Sequence, residues 1–319
     1  MQKLINIINN FRGKKIGVIG DLMLDQFIFG QVHRISPEAP VPVVLFEKET
    51  YVLGGAANTA HNIASLGGDV FLVGAIGQDD AGNEFLRQVK KNAMSDKGIF
   101  TVPRYFTTQK SRVIARGQQV VRVDREQAES LGKKIEDTVM RFISKHMAGW
   151  DGVIVSDYGK GFITEKIAKE IIRLARVHKK PVVGDVKITR HARYFDGIDV
   201  LKPNAAEAFA ISQCHDITEA GKKIQKELHC DVLVTQGADG MTLFERKKVT
   251  HVPALAKEVV DIVGAGDTVA AAVCLALSVG ASLEESMIIA NHAAGIVVSK
   301  AGTATVDFKE LKKGLLGHE

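Results

Sequence analysis

Cysteine is scarce in this chain. Only Cys214, Cys230 and Cys274 occur, an odd number with no C-x-x-C spacing, which excludes a disulfide framework and fits a reducing compartment. Long apolar runs are missing too: the longest, Val269 to Ala281, is too short to span a bilayer. Met1 to Lys15 sets Leu4, Ile5, Ile7, Ile8 and Phe11 among asparagines at helical spacing, without the unbroken apolar core of a secretory signal. Neither an internal repeat nor a low-complexity segment occurs. Charge of one sign is not in large excess, since 42 Lys+Arg against 37 Asp+Glu leaves +5, with a pI near 8.9. So small and dispersed a surplus argues against nucleic acid as a partner and is compatible with nucleotides and sugar phosphates. The expectation is a cytoplasmic protein with no membrane and no nucleic-acid partner.

What the chain does have is material for a core. Hydrophobic residues make up 45% of it and the mean hydropathy is +0.03, values of a soluble globular protein. Its 319 residues are read as one large domain with a lid. From Gly152 onward strands and helices alternate: strand 152–156, helix 164–178, strands 181–185 and 198–201, helices 204–212 and 217–228, strand 231–235 and a hairpin near 241–253. The alternation fails in two β-rich patches, which place lid segments at residues 22–52 and 104–124. An edge extension of the main sheet is the competing reading.

Val259 to Thr268 reads Val-Val-Asp-Ile-Val-Gly-Ala-Gly-Asp-Thr, a β-branched run, a Gly-Ala-Gly turn and an aspartate ahead of an alanine-rich stretch. That is strand, tight turn and helix start. Unpartnered N–H groups at such a turn, aided by the helix dipole, suit a phosphate in a charged transition state, and Asp267 sits where it could take a proton. The plainer reading makes Gly264 and Gly266 turn residues and Asp267 a helix cap. Three more motifs follow β-prone runs: Gly54-Gly55-Ala56-Ala57-Asn58, Asn204-Ala205-Ala206-Glu207, and Thr235-Gln236-Gly237-Ala238-Asp239-Gly240. In an open α/β sheet, groups just past strand carboxyl ends converge on one crevice, so all four motifs are expected to face one site.

In this order the motifs resemble those of the ribokinase (PfkB) family of sugar kinases, over a span from about Lys15 to Thr305. Arg34-Ile35-Ser36-Pro37-Glu38-Ala39-Pro40-Val41-Pro42-Val43 is similar to a segment of the family's D-glycero-D-manno-heptose 7-phosphate kinases, the kinase half of bacterial ADP-heptose synthesis. Gly20-Asp21-Leu22-Met23-Leu24-Asp25 and Ser156-Asp157-Tyr158-Gly159-Lys160-Gly161 agree with that subgroup. The resemblance implies a three-layer α/β/α sandwich with a mostly parallel central sheet and a small β-sheet lid, which in relatives often makes a homodimer contact. It also implies ATP and Mg²⁺ as cofactors and a sugar phosphate as substrate.

Residue by residue, the resemblance makes Asp267 the base and gives the amides of Gly264, Ala265 and Gly266 to the transferred phosphoryl group. Glu207 would serve the metal, with Asn204 near phosphate; without the resemblance the pair reads as a helix cap. Lys187, Thr235, Gly237, Gly240 and Asn291 fall on the nucleotide side, with His292 beside the last. Asp21, Gly54, Gly55 and Asn58 fall on the sugar side. A phosphorylated substrate needs a second anion site, for which Lys110, Arg112, Arg116, Arg122 and Arg34 are the candidates and solvent the alternative. Two departures stand out: Val186 replaces the proline of Asp-Pro-Lys, and Val263 replaces a threonine. Bifunctional relatives carry a His-x-Gly-His nucleotidyltransferase motif that is absent here, so a separate adenylyltransferase is expected to act downstream.

Overall fold

Runs rich in valine and isoleucine form a parallel sheet, and the amphipathic segments between them cover both of its faces. The structure, a computed structural model, describes residues 1–317 apart from Ile188, Lys257 and Ala301. Its strands are β1 (Lys15–Gly20), β2 (Leu22–Ile35), β3 (Pro42–Gly55), β4 (Asp69–Gly77), β5 (Ser95–Val102), β6 (Thr108–Ala115) and β7 (Gln118–Arg125). They continue as β8 (Gly152–Asp157), β9 (Val182–Val186), β10 (Val200–Leu201), β11 (Asp231–Thr235), β12 (Met241–Glu245) and β13 (Lys248–Val252). The helices are α1 (Gln2–Asn9), α2 (Ala56–Ser65), α3 (Asp80–Lys91), α4 (Lys133–His146) and α5 (Glu165–His178). After them come α6 (Ala205–Ser212), α7 (Ile217–Leu228), α8 (Ala265–Ser278), α9 (Leu283–Val298) and α10 (Phe308–Leu316).

The large sheet runs β13-β12-β11-β10-β9-β8-β1-β4-β5, parallel except where β12 pairs with its two neighbours. Its winding reverses between β1 and β8, because the chain proceeds from β1 to β4 on one side and from β8 to β9 on the other. At such a switch point the loops diverge and leave a crevice beyond the strand carboxyl ends; Asp21 and Tyr158 stand there. Period-two alternation divides the core. Ile16 and Val18 of β1 pack with α1, α2, α8 and α9 on one face, while Ile19 packs with α4, α5 and α7 on the other. Side-chain caps begin many of the helices, Thr164 on Ile167 N–H and Ser282 on Glu285 N–H among them. No described helix is long and apolar enough to cross a membrane.

The two β-rich patches form a separate sheet in the order β3-β2-β6-β7. Its strands outrun the sequence expectation. β2 and β3 extend over 22–35 and 42–55, and β6 and β7 over 108–115 and 118–125, against lid segments expected at 22–52 and 104–124. A second expectation fails: the β-branched run before Gly264 is not a strand. Val259, Val260, Ile262 and Val263 are 48–71% exposed, and the run is held to α9 where Val260 and Asp261 N–H donate to Val298 O. No described strand offers it a ladder, so its β propensity goes unused.

Candidate active site

Helix α8 starts at Gly264, whose φ of +84° is a left-handed turn that a side chain would strain. The helix has no side-chain cap, which removes the capping reading of Asp267, its third residue. Asp267 instead turns its carboxylate toward α2 and the loop after β8. Oδ2 accepts from Asn58 Nδ2 at 2.6 Å, and Oδ1 accepts from Tyr158 OH at 2.9 Å and Thr59 Oγ1 at 3.3 Å. Thr268 Oγ1 donates to Asn62 Oδ1 at 2.8 Å and fixes α8 on α2. Burial, and then repulsion from Asp185, push the Asp267 carboxyl above the usual carboxylate range against the pull of Asn58, Lys187 and Tyr158. Among the described residues, no backbone acceptor takes the N–H of Gly264, Gly266 or Asp267, whereas Ala265 N–H is spent on Ile262 O. The free donors at the helix start are therefore Gly264, Gly266 and Asp267, with Asp267 in the place expected for Ala265.

Two ammonium groups stand over that helix start. A Cβ on Gly266 would meet Lys202 Nζ at 3.4 Å and Lys187 Nζ at 3.7 Å. Both lysines pair with Asp185 Oδ1, at 2.8 Å for Lys187 and 3.1 Å for Lys202. Lys202 is 1% exposed. Burial disfavours the Asp185 charge, but the two lysines outweigh it and hold the acid below its usual range. Two cations beside a positive helix end, with Asp185, Glu207 and Asp267 as the carboxylates around them, offer donors that an anion could take. These groups line a cavity of about 660 Å³ together with Asn204, Thr235, Gly237, Gly240 and Asn291. The space is of the size of a small-molecule site, and it brings together the nucleotide-side residues expected from the sequence except Glu207 and His292.

Glu207 lies one contact away. Its Oε2 accepts from Asn204 N–H at 2.8 Å while Asn204 Oδ1 accepts from Glu207 N–H at 2.8 Å, a complete capping box, and Oε1 stands 3.6 Å from Lys187 Nζ. The capping reading is thus the one the geometry displays, and Oε1 is the oxygen left to face the cavity side. Asn291 serves partly as a brace, donating to Pro253 O at 2.8 Å, and His292 is not on the cavity wall. Val263 is also off it, while Asp261 supports the loop by accepting from Val263 and Gly302 N–H.

On the sugar side, Asp21 is 1% exposed and its two oxygens accept from the N–H groups of Tyr158, Lys160 and Phe162 at 2.7, 3.1 and 3.2 Å. Burial is the larger effect and, with repulsion from Asp157, raises its pKa to about 6 against those three donors. Asp157 itself is pushed up by burial and drawn back by His191, whose Nδ1 lies 2.8 Å away. Gly55, at φ +58°, packs so closely on Asp21 O that a Cβ would approach to 2.5 Å. Gly54 packs equally tightly on Asp25 Oδ2. Asn58 Oδ1 is buried with no described hydrogen-bond partner, an acceptor in want of a donor.

The basic residues expected to hold a phosphate separate into two groups. Lys110 and Arg112 share a face near the sugar side. Lys110 Nζ lies 3.1 Å from Asp124 and 3.3 Å from Glu126, and Arg112 pairs with Asp25. Arg122 pairs with Asp124 at 2.9 Å. Lys160, which the sequence reading passed over, reaches the same Glu126 at 2.7 Å. Arg116 and Arg34 are not with them: Arg116 lies in the β6–β7 turn, donating to Val32 O, and Arg34 is exposed near the end of β2. Nine residues of strand separate Arg34 from Asp25, roughly 30 Å at 3.3 Å per residue.

Lys202, Tyr158, Thr59 and Lys160 escaped sequence reasoning. Lys202 left a trace, a lone charge closing the apolar run Val200-Leu201 before Pro203-Asn204. Tyr158 and Lys160 lay inside a quoted motif without a role, and Thr59 adjoined one.

A helix start bearing a buried aspartate, two lysines and a cavity at a switch point fit the site of a phosphotransferase. Residues 14–309 match the pfkB family of carbohydrate kinases, and the chain belongs to it. Among curated relatives, the bifunctional protein HldE of Caulobacter sp. (strain K31) is 41% identical over 312 residues, 94% of this chain and 62% of the relative. HldE of Caulobacter vibrioides is 43% identical over 317 residues, 97% and 65% respectively. The chain thus spans 62–65% of the length of these relatives. Of solved structures, Arabidopsis thaliana ribokinase complexed with ribose and ATP superposes with a TM-score of 0.76 at 21% identity, covering 95% of this chain and 99% of that one. Phosphofructokinase-2 of Escherichia coli in complex with substrates and products gives 0.77 at 18%, covering 96% and 99%. The fold is ribokinase-like, and the enzyme is a sugar kinase.

Proposed function

We propose that the enzyme transfers the γ-phosphoryl group of ATP to O1 of D-glycero-D-manno-heptose 7-phosphate, giving the 1,7-bisphosphate. The observation that carries the reading is the buried Asp267 carboxylate at a helix start with free N–H groups and two lysines over it. A sugar hydroxyl is a weak nucleophile, so transfer requires alignment, neutralisation of the phosphoryl oxygens and an acceptor for the departing proton. Gly264, Gly266, Lys187 and Lys202 supply neutralisation, and Asp267 supplies the acceptor. Asn58, with one amide face on Asp267 and its carbonyl unpartnered, suits an acceptor hydroxyl between them.

Mg²⁺ takes few protein carboxylates and would supply charge neutralisation for the nucleotide's phosphates. Glu207 Oε1, outside the capping box, fits that sparing demand. The sugar's own phosphate is assigned to Lys110 and Lys160, whose shared Glu126 an incoming phosphate would displace. The small sheet would act as the lid of a single domain. Its exposed Leu45, Phe46, Val121 and Val123 would cover a second copy of the chain in a homodimer.

The likeness of Arg34 to Val43 to a segment of heptose 7-phosphate kinases favours the heptose reading over ribose or fructose kinases. A coupled assay of ADP release against a panel of acceptors decides between them. Turnover of heptose 7-phosphate well above ribose and fructose is expected, and the reverse order would reject the assignment.

A further inference from the structure

Tyr158 touches both halves of the site. Its N–H donates to Asp21 Oδ2 at 2.7 Å on the sugar side, and its hydroxyl donates to Asp267 Oδ1 at 2.9 Å. The phenol is raised well above its ordinary pKa by burial and then by Asp267, so it keeps its proton and acts as a donor. A carboxylate oxygen offers two lone pairs. Oδ1 spends both, on Tyr158 and Thr59, whereas Oδ2 spends one, on Asn58. The two oxygens of the base are therefore unequal before any substrate arrives.

Resting on the kinase reading above, we propose that Tyr158 is the positioning residue of the base: with Thr59 it immobilises Oδ1 and leaves Oδ2 as the oxygen that receives the acceptor's proton. In the transfer, the acceptor O–H bond breaks and its proton passes to Oδ2. The acceptor oxygen bonds to the phosphorus as the bond from phosphorus to ADP breaks. Asn58 marks the approach, because its amide already lies 2.6 Å from Oδ2 and its carbonyl is free to take a neighbouring hydroxyl. The other charged groups facing Asp267 are Asp185 beyond β8, Lys187 and Lys202 over the helix start, and Glu207 at the head of α6. All of them remain when the phenol is altered.

Tyr158→Phe keeps the ring and removes only the donor. The expected result is a kcat about tenfold lower, with KM for both substrates within about twofold. The acid limb of the kcat profile should also move to higher pH, because a carboxylate that loses a donor holds its proton more tightly. The same shift should be seen without turnover, as a higher midpoint for the Asp267 carboxyl ¹³C signal, assigned by its loss in Asp267→Asn. Thr59→Val should move both readouts the same way by less. An unchanged carboxyl midpoint and acid limb in Tyr158→Phe would overturn the proposal, even if kcat fell, since a merely structural role moves neither. A wild-type protein that phosphorylates no sugar would refute the kinase reading instead, and the carboxyl titration would still decide this one.

Discussion

The head of α8 and the small sheet each set cations among carboxylates, and the two sets differ in burial. Over α8, Lys187 and Lys202 both pair with Asp185, Glu207 Oε1 stands 3.6 Å from Lys187, and N–H groups without backbone acceptors lie alongside. On the small sheet the carboxylates are shared along a chain: Lys110 pairs with Asp124 and Glu126, Arg122 with the same Asp124, and Arg112 with Asp25. The Lys202–Asp185 pair is wholly buried, whereas Arg122 is half exposed. The first suits a group that changes charge during reaction, where buried, fixed donors are worth most. The second suits an anion that only has to be held, and must exchange a protein carboxylate for the ligand's phosphate.

The largest effect that could break this comparison belongs to Asp267→Asn. It should lower kcat by roughly 10²-fold or more while nucleotide affinity stays nearly constant, as read by steady-state turnover beside calorimetric titration of ATP. Undiminished turnover would remove the base from the α8 region. Next is Asp21, at the junction of the two regions. Its folded-state pKa is raised from 3.8 to about 6, so its stabilising contribution is complete below about pH 4 and is lost as pH rises through about 6. Urea unfolding of wild type and Asp21→Asn should show the wild type losing about 3 kcal/mol relative to the variant between pH 4 and pH 7. A flat difference over that window would mean that the three N–H donors cancel the effect of burial. The smallest effect sharpens the small-sheet side: Lys110→Met should raise KM for the sugar phosphate about tenfold and leave KM for ATP alone. Equal changes in both constants would place Lys110 outside the phosphate site.

The nucleotide side was legible because each of its parts is local. Asn204 to Glu207 and Thr235 to Gly240 are short runs just past strands, which a parallel sheet brings together without further information, and Gly264 to Asp267 is a short run that opens a helix over the same cavity. α7 and β11 begin and end where their periodicity does. The basic cluster of the small sheet was not legible in the same way. Lysines of a β-strand announce charge but not partners, and Glu126 and Lys160 come from distant parts of the chain. Arg34 and Arg116 looked equivalent to Lys110 and Arg112 by composition, yet strand length carried them to the far end of the sheet. The valines before Gly264 misled for another reason: β-branched residues favour strands only where a partner edge exists.

The small sheet is rooted at two neighbouring points, for β2 begins one residue after Asp21, β3 ends at Gly55, and Ala56 N–H donates to Asp21 O at 3.0 Å. Any tilt of that sheet has its fulcrum in the residues assigned to the acceptor, so acceptor occupancy and tilt belong to one equilibrium. By linkage, whatever grips the distal margin of the sheet must alter acceptor affinity by the same factor by which the acceptor alters the grip.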